Sequence, residues 1–216
     1  MNLNKVKAVI FDIDGTLSPE ISWTLLTKDL GGSAEQHLKI FKDLSDEKIG
    51  YEDSKEQLLN LWRATGRATK SDFRAIFENW PLRDAAKEVI DFLIIKGYKI
   101  SIITGSTDLY AEIVAKRLGI PFYFANTELV WDKEDNLVDF RYFRDQAKKK
   151  LEQFLEFCHQ QNLEPKDCVV VGDDTNDIEL FKITRGVALK SPDSAEIEKI
   201  AWKTIVNLSE LKEILA

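Results

Sequence analysis

Histidine, cysteine and methionine are scarce: among 216 residues there are two His, two Cys and one Met. His37 and His159 have no partner at a metal-binding or triad-like spacing, which sets aside zinc and histidine-based hydrolysis. Cys158 and Cys168 are too few for a disulfide scaffold and lack paired metal-ligand spacing. A nucleophilic cysteine loop would need Arg six residues on, where Glu164 and Asp174 stand. Both thiols are expected to pack as small apolar groups in a reducing compartment. No apolar run approaches the roughly 18 residues of a membrane span, and Met1 to Lys7 lacks the apolar centre of a secretory leader. The expectation is a cytoplasmic chain with no membrane contact. Thirty Lys and Arg against 37 Asp and Glu give a net charge of −7, which argues against a general nucleic-acid binder. An anionic small molecule would need a local basic site. Carboxylate is what the chain has in abundance.

Lys7-Ala8-Val9-Ile10-Phe11 is a short apolar run that stops at Asp12, with Gly15 soon after, and reads as a buried strand ending in a turn. Similar runs recur at Tyr98 to Ile103, Cys168 to Val171, Gly186 to Leu189 and Thr204 to Val206. Between them lie helical faces: Ala86, Val89, Ile90, Leu93; Tyr110, Ile113, Val114, Leu118; and Leu151, Phe154, Leu155, Cys158. This alternation predicts an α/β fold, a three-layer parallel sheet of Rossmann-like type with its ligand site beyond the carboxyl ends of the strands. The gap between Asp12 and Thr104 far exceeds the dozen or so residues a crossover needs. The helical pattern from Ser18 to Pro81 fills it, so a small helical cap of residues 18–81 is expected to be inserted into a core of residues 1–17 and 82–216. Trp23, Trp62 and Trp80 stand in it at helical spacing and read as cap core rather than ligand contacts. Leu129 to Trp131 and Leu137 to Phe140 flank a polar turn and predict a hairpin peripheral to the core.

Asp12 and Asp14 stand at i and i+2 just past the first strand, so both can point to one side. An aspartate turn beside Gly15 is the plain alternative. A second cluster, Asp173-Asp174-Thr175-Asn176-Asp177, follows another buried run; helix capping accounts for one of its acids, not three. Were both strands in one sheet, Asp12, Asp14, Asp173 and Asp177 would converge and require a compensating cation. Mg²⁺ suits an open half-cage of oxygens better than calcium or zinc. Thr104-Gly105-Ser106 ends a third strand and reads either as a phosphoryl cradle or as an ordinary helix cap. Lys148, Lys149 and Lys150 open a helix, one ammonium within reach of that cradle or all three on a solvated face.

Together these features resemble the haloacid dehalogenase superfamily, whose phosphatases carry a double-aspartate motif, then Thr or Ser, then Lys, then an acidic motif. The helical insert and the run from Leu118 to Asn126 are similar to its phosphoserine-phosphatase-like branch, and Lys150 fits that branch's spacing to Asp173. The resemblance implies Mg²⁺-dependent hydrolysis of a small phosphorylated metabolite through an aspartyl-phosphate. Asp12 would be the nucleophile and Asp14 the acid and base, an acid that dehalogenating members lack. Asp12, Asp14 through its carbonyl, and Asp173 would hold the metal, with Asp177 beside them. Thr104, Gly105, Lys150 and Asn176 would hold phosphoryl oxygens. In the cap, Glu20 would meet a substrate ammonium; the branch's carboxylate-gripping Arg aligns with Leu58, leaving Arg63 as a substitute. A phosphomutase or phosphotransferase, and a non-catalytic phospho-ligand-binding domain, share the pattern. Oligomeric state is not legible.

Overall fold

The computed structural model describes residues 6–216. The leader reading of Met1 to Lys7, like the start of the 1–17 segment, falls mostly outside the described residues. In chain order, β1 (Ala8–Phe11) precedes α1 (Ser22–Asp29), α2 (Ala34–Ser45), α3 (Tyr51–Arg63) and α4 (Lys70–Asn79). Then come α5 (Ala86–Ile95), β2 (Lys99–Thr107), α6 (Asp108–Leu118), β3 (Phe122–Trp131), β4 (Leu137–Tyr142) and α7 (Gln146–Gln161). The chain ends with β5 (Cys168–Gly172), α8 (Ile178–Ile183), β6 (Arg185–Leu189), α9 (Ala195–Glu198), β7 (Lys203–Ile205) and α10 (Leu211–Ile214). The strands form one sheet in the order β4-β3-β2-β1-β5-β6-β7, with β1 parallel to both β2 and β5. This is the expected mostly parallel α/β fold. No helix among the described residues is long and apolar enough to cross a membrane.

Every residue of β1 is buried, because alternate side chains serve opposite faces of the sheet. Ala8 and Ile10 join Val170, Phe154, Phe157, Cys158, Leu180 and Phe181 in one cluster, while Val9 and Phe11 are equally buried on the other face. The thiols of Cys158 and Cys168 lie in that cluster, 3.9 Å apart and unbonded. Two details depart from the sequence reading. The buried face of α7 is Lys150, Gln153, Phe154, Phe157 and Cys158, so Leu155 is exposed. β2 runs on past Thr104 with a register shift, and Thr107 caps α6 by accepting from Tyr110 N. Thr104 is therefore not a helix cap.

The chain divides into two compact units: one holds the residues to Pro19, Pro81–Thr127 and Tyr142–Ala216; the other holds Glu20–Trp80 and Glu128–Arg141. The hairpin was expected to remain with the core. Its tip instead joins the helical unit, where Ala68 O accepts from Leu137 N and Lys70 N donates to Asp135 O. Trp62 is fully buried there, stacked on Trp23 and tilted against Phe140 of the hairpin, and Phe73 meets Trp131 edge-on. Trp62 Nε1 donates to Thr27 Oγ1, which also bonds the buried ring of His37. These aromatic residues are packing groups, as their spacing implied.

Candidate active site

The groups around Asp12 lie in the first unit. The β1 register sets Phe11 opposite Ile102 of β2 and Val171 of β5, so Asp12 and Asp173 emerge at neighbouring strand ends, with Thr104 within β2 two residues past Ile102. Asp12 is buried, and its Oδ1 accepts from Ile13 N at 2.7 Å. The chain then makes a wide turn from Ile13 to Leu17, closed by Ser18 N on Ile13 O. Asp14 leaves helical geometry (φ −63°, ψ 127°) and Gly15 is left-handed (φ 72°). A Cβ on Gly15 would lie 2.1 Å from Asp173 Oδ2, so both the backbone conformation and the close approach require glycine. Thr16 Oγ1 then donates to Asp173 Oδ1 at 2.9 Å, tying the first acidic motif to the last.

Lys150 is the lysine that enters the site; Lys148 is exposed, and Lys149 lies over the ring of Phe143. Its Nζ is 2.9 Å from Asp12 Oδ2 and 2.7 Å from Asp177 Oδ1, and it also donates to Asn176 Oδ1. Burial opposes the charge on Lys150, but Asp12 and Asp177 outweigh it and raise its pKa. Asp174 performs the capping task, accepting from Thr175 N and from Asn176 Nδ2, which leaves Asp173 and Asp177 buried. Burial first, and then the charge of Asp12, pushes Asp173 up to about 6. Burial likewise raises Asp177 despite the ammonium beside it.

The sequence reading had four aspartates converge on one ion. Among the described residues, no three or more acid, His or Cys side chains form a preformed metal cage. Lys150 stands between Asp12 and Asp177 and supplies part of the compensation that the sequence reading assigned to a metal. Asp177 is thereby an ammonium partner. One ammonium still faces three buried carboxylates, and Asp177 Oδ2 is buried without a hydrogen-bond partner. That excess of negative charge fits Mg²⁺, which needs only one or two carboxylates and keeps its own waters.

Thr104 is fully buried, and its Oγ1 accepts from Ser106 N at 3.1 Å. A Cβ on Gly105 would stand 2.8 Å from Gln146 Oε1, so the tip of that side chain would have to shift. In the second unit Glu20 is exposed and Leu58 is buried. Arg63 donates through Nε to Leu137 O and through Nη2 to Val138 O, so its guanidinium braces the hairpin. Two residues beside the turn that follows Asp12 were not read from the sequence as neighbours of the site. Tyr110 is fully buried on α6; burial raises its pKa, a hydrogen bond to Ser18 opposes this, and the charge of Asp14 adds to it. Arg83 donates through Nε to Thr16 O at 2.9 Å and through Nη2 to Gly15 O at 2.7 Å. Its only sequence signal was an Arg just past the insert.

Residues 6–182 match the model of the haloacid dehalogenase-like hydrolases. The phosphoserine phosphatase of Methanocaldococcus jannaschii is 28% identical over 179 residues, covering 82% of each chain. That of Streptococcus thermophilus is 23% identical over 192 residues, covering 87% of this chain and 85% of the relative. Among solved structures, a phosphoserine phosphatase captured as a phospho-aspartyl intermediate analogue superposes with a TM-score of 0.76 at 22% identity, covering 98% of this chain and 100% of the other. The chain belongs to the haloacid dehalogenase-like hydrolases and is similar to phosphoserine phosphatases among them.

Proposed function

We propose that the protein is a Mg²⁺-dependent phosphatase of a small phosphomonoester, working through an aspartyl-phosphate on Asp12. The observation that carries this reading is the joining of Asp12 to Asp177 by the buried ammonium of Lys150, with Asp173 bonded to the turn that follows Asp12. A carboxylate at a strand end, oriented by Ile13 N and Lys150, supports the reading of Asp12 as the nucleophile. An Asp12 oxygen attacks phosphorus while the ester P–O bond breaks, and the leaving oxygen takes the proton of Asp14. Asp14 then removes a proton from water, which attacks the same phosphorus and frees both phosphate and the Asp12 carboxylate. Thr104 Oγ1, the amides around Gly105, and Lys150 with Asn176 are the donors available to the non-transferred oxygens. Magnesium, held by Asp12, Asp173 and the Asp14 carbonyl, would supply positive charge against the phosphoryl group.

The relatives named as phosphoserine phosphatases make phosphoserine the first ester to test. Leu58 is buried and Arg63 is engaged by the hairpin, so neither offers a grip on a substrate carboxylate; the reading therefore stops at small phosphomonoesters. Release of inorganic phosphate from p-nitrophenyl phosphate and a panel of phosphometabolites, with and without Mg²⁺, tests it. Mg²⁺-dependent release is expected. Transfer of the phosphoryl group to a second hydroxyl without free phosphate would make the protein a phosphotransferase, and no turnover of any ester would overturn the reading.

A further inference from the structure

Three successive carbonyls of the turn after Asp12 end on one residue. Arg83 Nη2 donates to Gly15 O at 2.7 Å, its Nε to Thr16 O at 2.9 Å, and its backbone N to Leu17 O at 2.9 Å. This turn is not a regular helix, since Asp14 and Gly15 lie outside helical geometry, so its carbonyls need partners from elsewhere. From the other side the turn is fixed by Thr16 Oγ1 on Asp173 and by the close approach of Gly15 to the same carboxylate. The backbone just after Asp14 is therefore held between Arg83 and Asp173. A planar guanidinium with two donors on two carbonyls restrains rotation as well as position, which a lysine ammonium does not.

We infer that Arg83 is a positioning residue for Asp14: by fixing the Gly15 and Thr16 carbonyls, it sets where the leaving oxygen finds its proton. This rests on the phosphatase reading above. Proton transfer is sensitive to small displacements of the acid, whereas phosphate affinity depends on Thr104 and Lys150, which Arg83 does not bond. Loss of Arg83 should accordingly lower kcat and leave KM nearly unchanged. The loss in the first step should also depend on the leaving group, whereas the second step, in which Asp14 acts on water, is common to all esters. An alkoxide departs only with a proton, while p-nitrophenolate departs without one.

The test compares single-turnover release of the leaving alcohol by wild type, Arg83→Ala and Arg83→Lys from an alkyl phosphomonoester that the wild type hydrolyses and from p-nitrophenyl phosphate, which reads the first step before Asp14 acts on water, with melting temperatures recorded. In Arg83→Ala the alkyl ester should lose about tenfold or more in this release rate, part of the roughly 10²–10⁴-fold that a positioned acid supplies. The aryl ester should change by only about threefold, and Asp14→Asn should show the same selectivity. Arg83 lines a cleft of about 350 Å³ with Pro19, Pro81, Asp84 and Asn207, so millimolar guanidinium should enter and restore part of the alkyl-ester rate. Should Arg83→Ala fail to fold, Arg83→Lys carries the same comparison, with a smaller but equally selective loss. Equal loss on both esters, or full activity on both, overturns the inference while leaving the phosphatase reading intact. A wild type inactive on every ester overturns both.

Discussion

Replacing Lys150 with Met removes an ammonium that is fully buried between two carboxylates, at 2.9 Å from Asp12 and 2.7 Å from Asp177. The methionine fills a similar volume, so the effect isolates charge rather than a cavity. Breaking a buried ion pair by removing one partner costs about 3–5 kcal/mol, because the other charge stays behind unpaired. Here two carboxylates stay behind, beside Asp173, which burial already pushes up to about 6. In a chain of this length each kcal/mol moves the melting temperature by about 2–4 °C, so a fall of about 6–20 °C is expected. Urea unfolding at neutral pH, followed by circular dichroism in EDTA, gives the free energy directly. Lys148→Met, on the exposed turn of the same helix, serves as control and should stay within about 0.5 kcal/mol of wild type. A Lys150→Met protein within about 1 kcal/mol of wild type would refute the assignment of that ammonium to Asp12 and Asp177.

Gly15→Ala should cost about 2–4 kcal/mol and most activity, since it adds left-handed strain to a 2.1 Å clash with Asp173 Oδ2. Gly66→Ala, also left-handed but with nothing within 4 Å of its Cβ, should cost about 1–2 kcal/mol and no activity; equal losses at the two glycines would contradict the close-approach argument. Burial lowers His37 to about 4, below its ordinary 6.5. The unfolded chain therefore binds the proton first, and stability falls as pH drops from about 6.5 to 4, by up to about 2–3 kcal/mol. His37→Gln should flatten that slope in urea titrations across the window, and an unchanged slope would show that the ring is not held neutral. Arg63→Ala should lower stability by about 1–2 kcal/mol through the lost hairpin carbonyl bonds, with KM unchanged. A raised KM at unchanged stability would return Arg63 to a substrate role.

The sheet was legible because fully buried parallel strands are written as continuous apolar runs: Ala8 to Phe11 and Cys168 to Val171 were found within a residue of their ends. What was not legible was the third dimension of short polar stretches. Thr104 was read as the end of its strand because a hydroxyl beside Gly105 looks like a helix start. The strand instead carries an irregularity there and passes the cap to Thr107. Helical periodicity could have singled out Lys150, which shares the face of Phe154 and Phe157, had the face not been drawn one residue off through Leu155. The hairpin tip has no apolar excess of its own, and its backbone bonds to Ala68 and Lys70, with the edge of Trp131 on Phe73, show where it belongs. Arg83 was invisible because its partners are carbonyls, which every residue carries.

The account stands on a covalent bond between phosphorus and Asp12. Quenching the enzyme during turnover, treating it with hydroxylamine, and mapping the peptides by mass spectrometry locates any acyl phosphate. A hydroxamate at Asp12, dependent on substrate, is the predicted result. A turning-over enzyme with the label on another residue, or with no label at any time point, would contradict it.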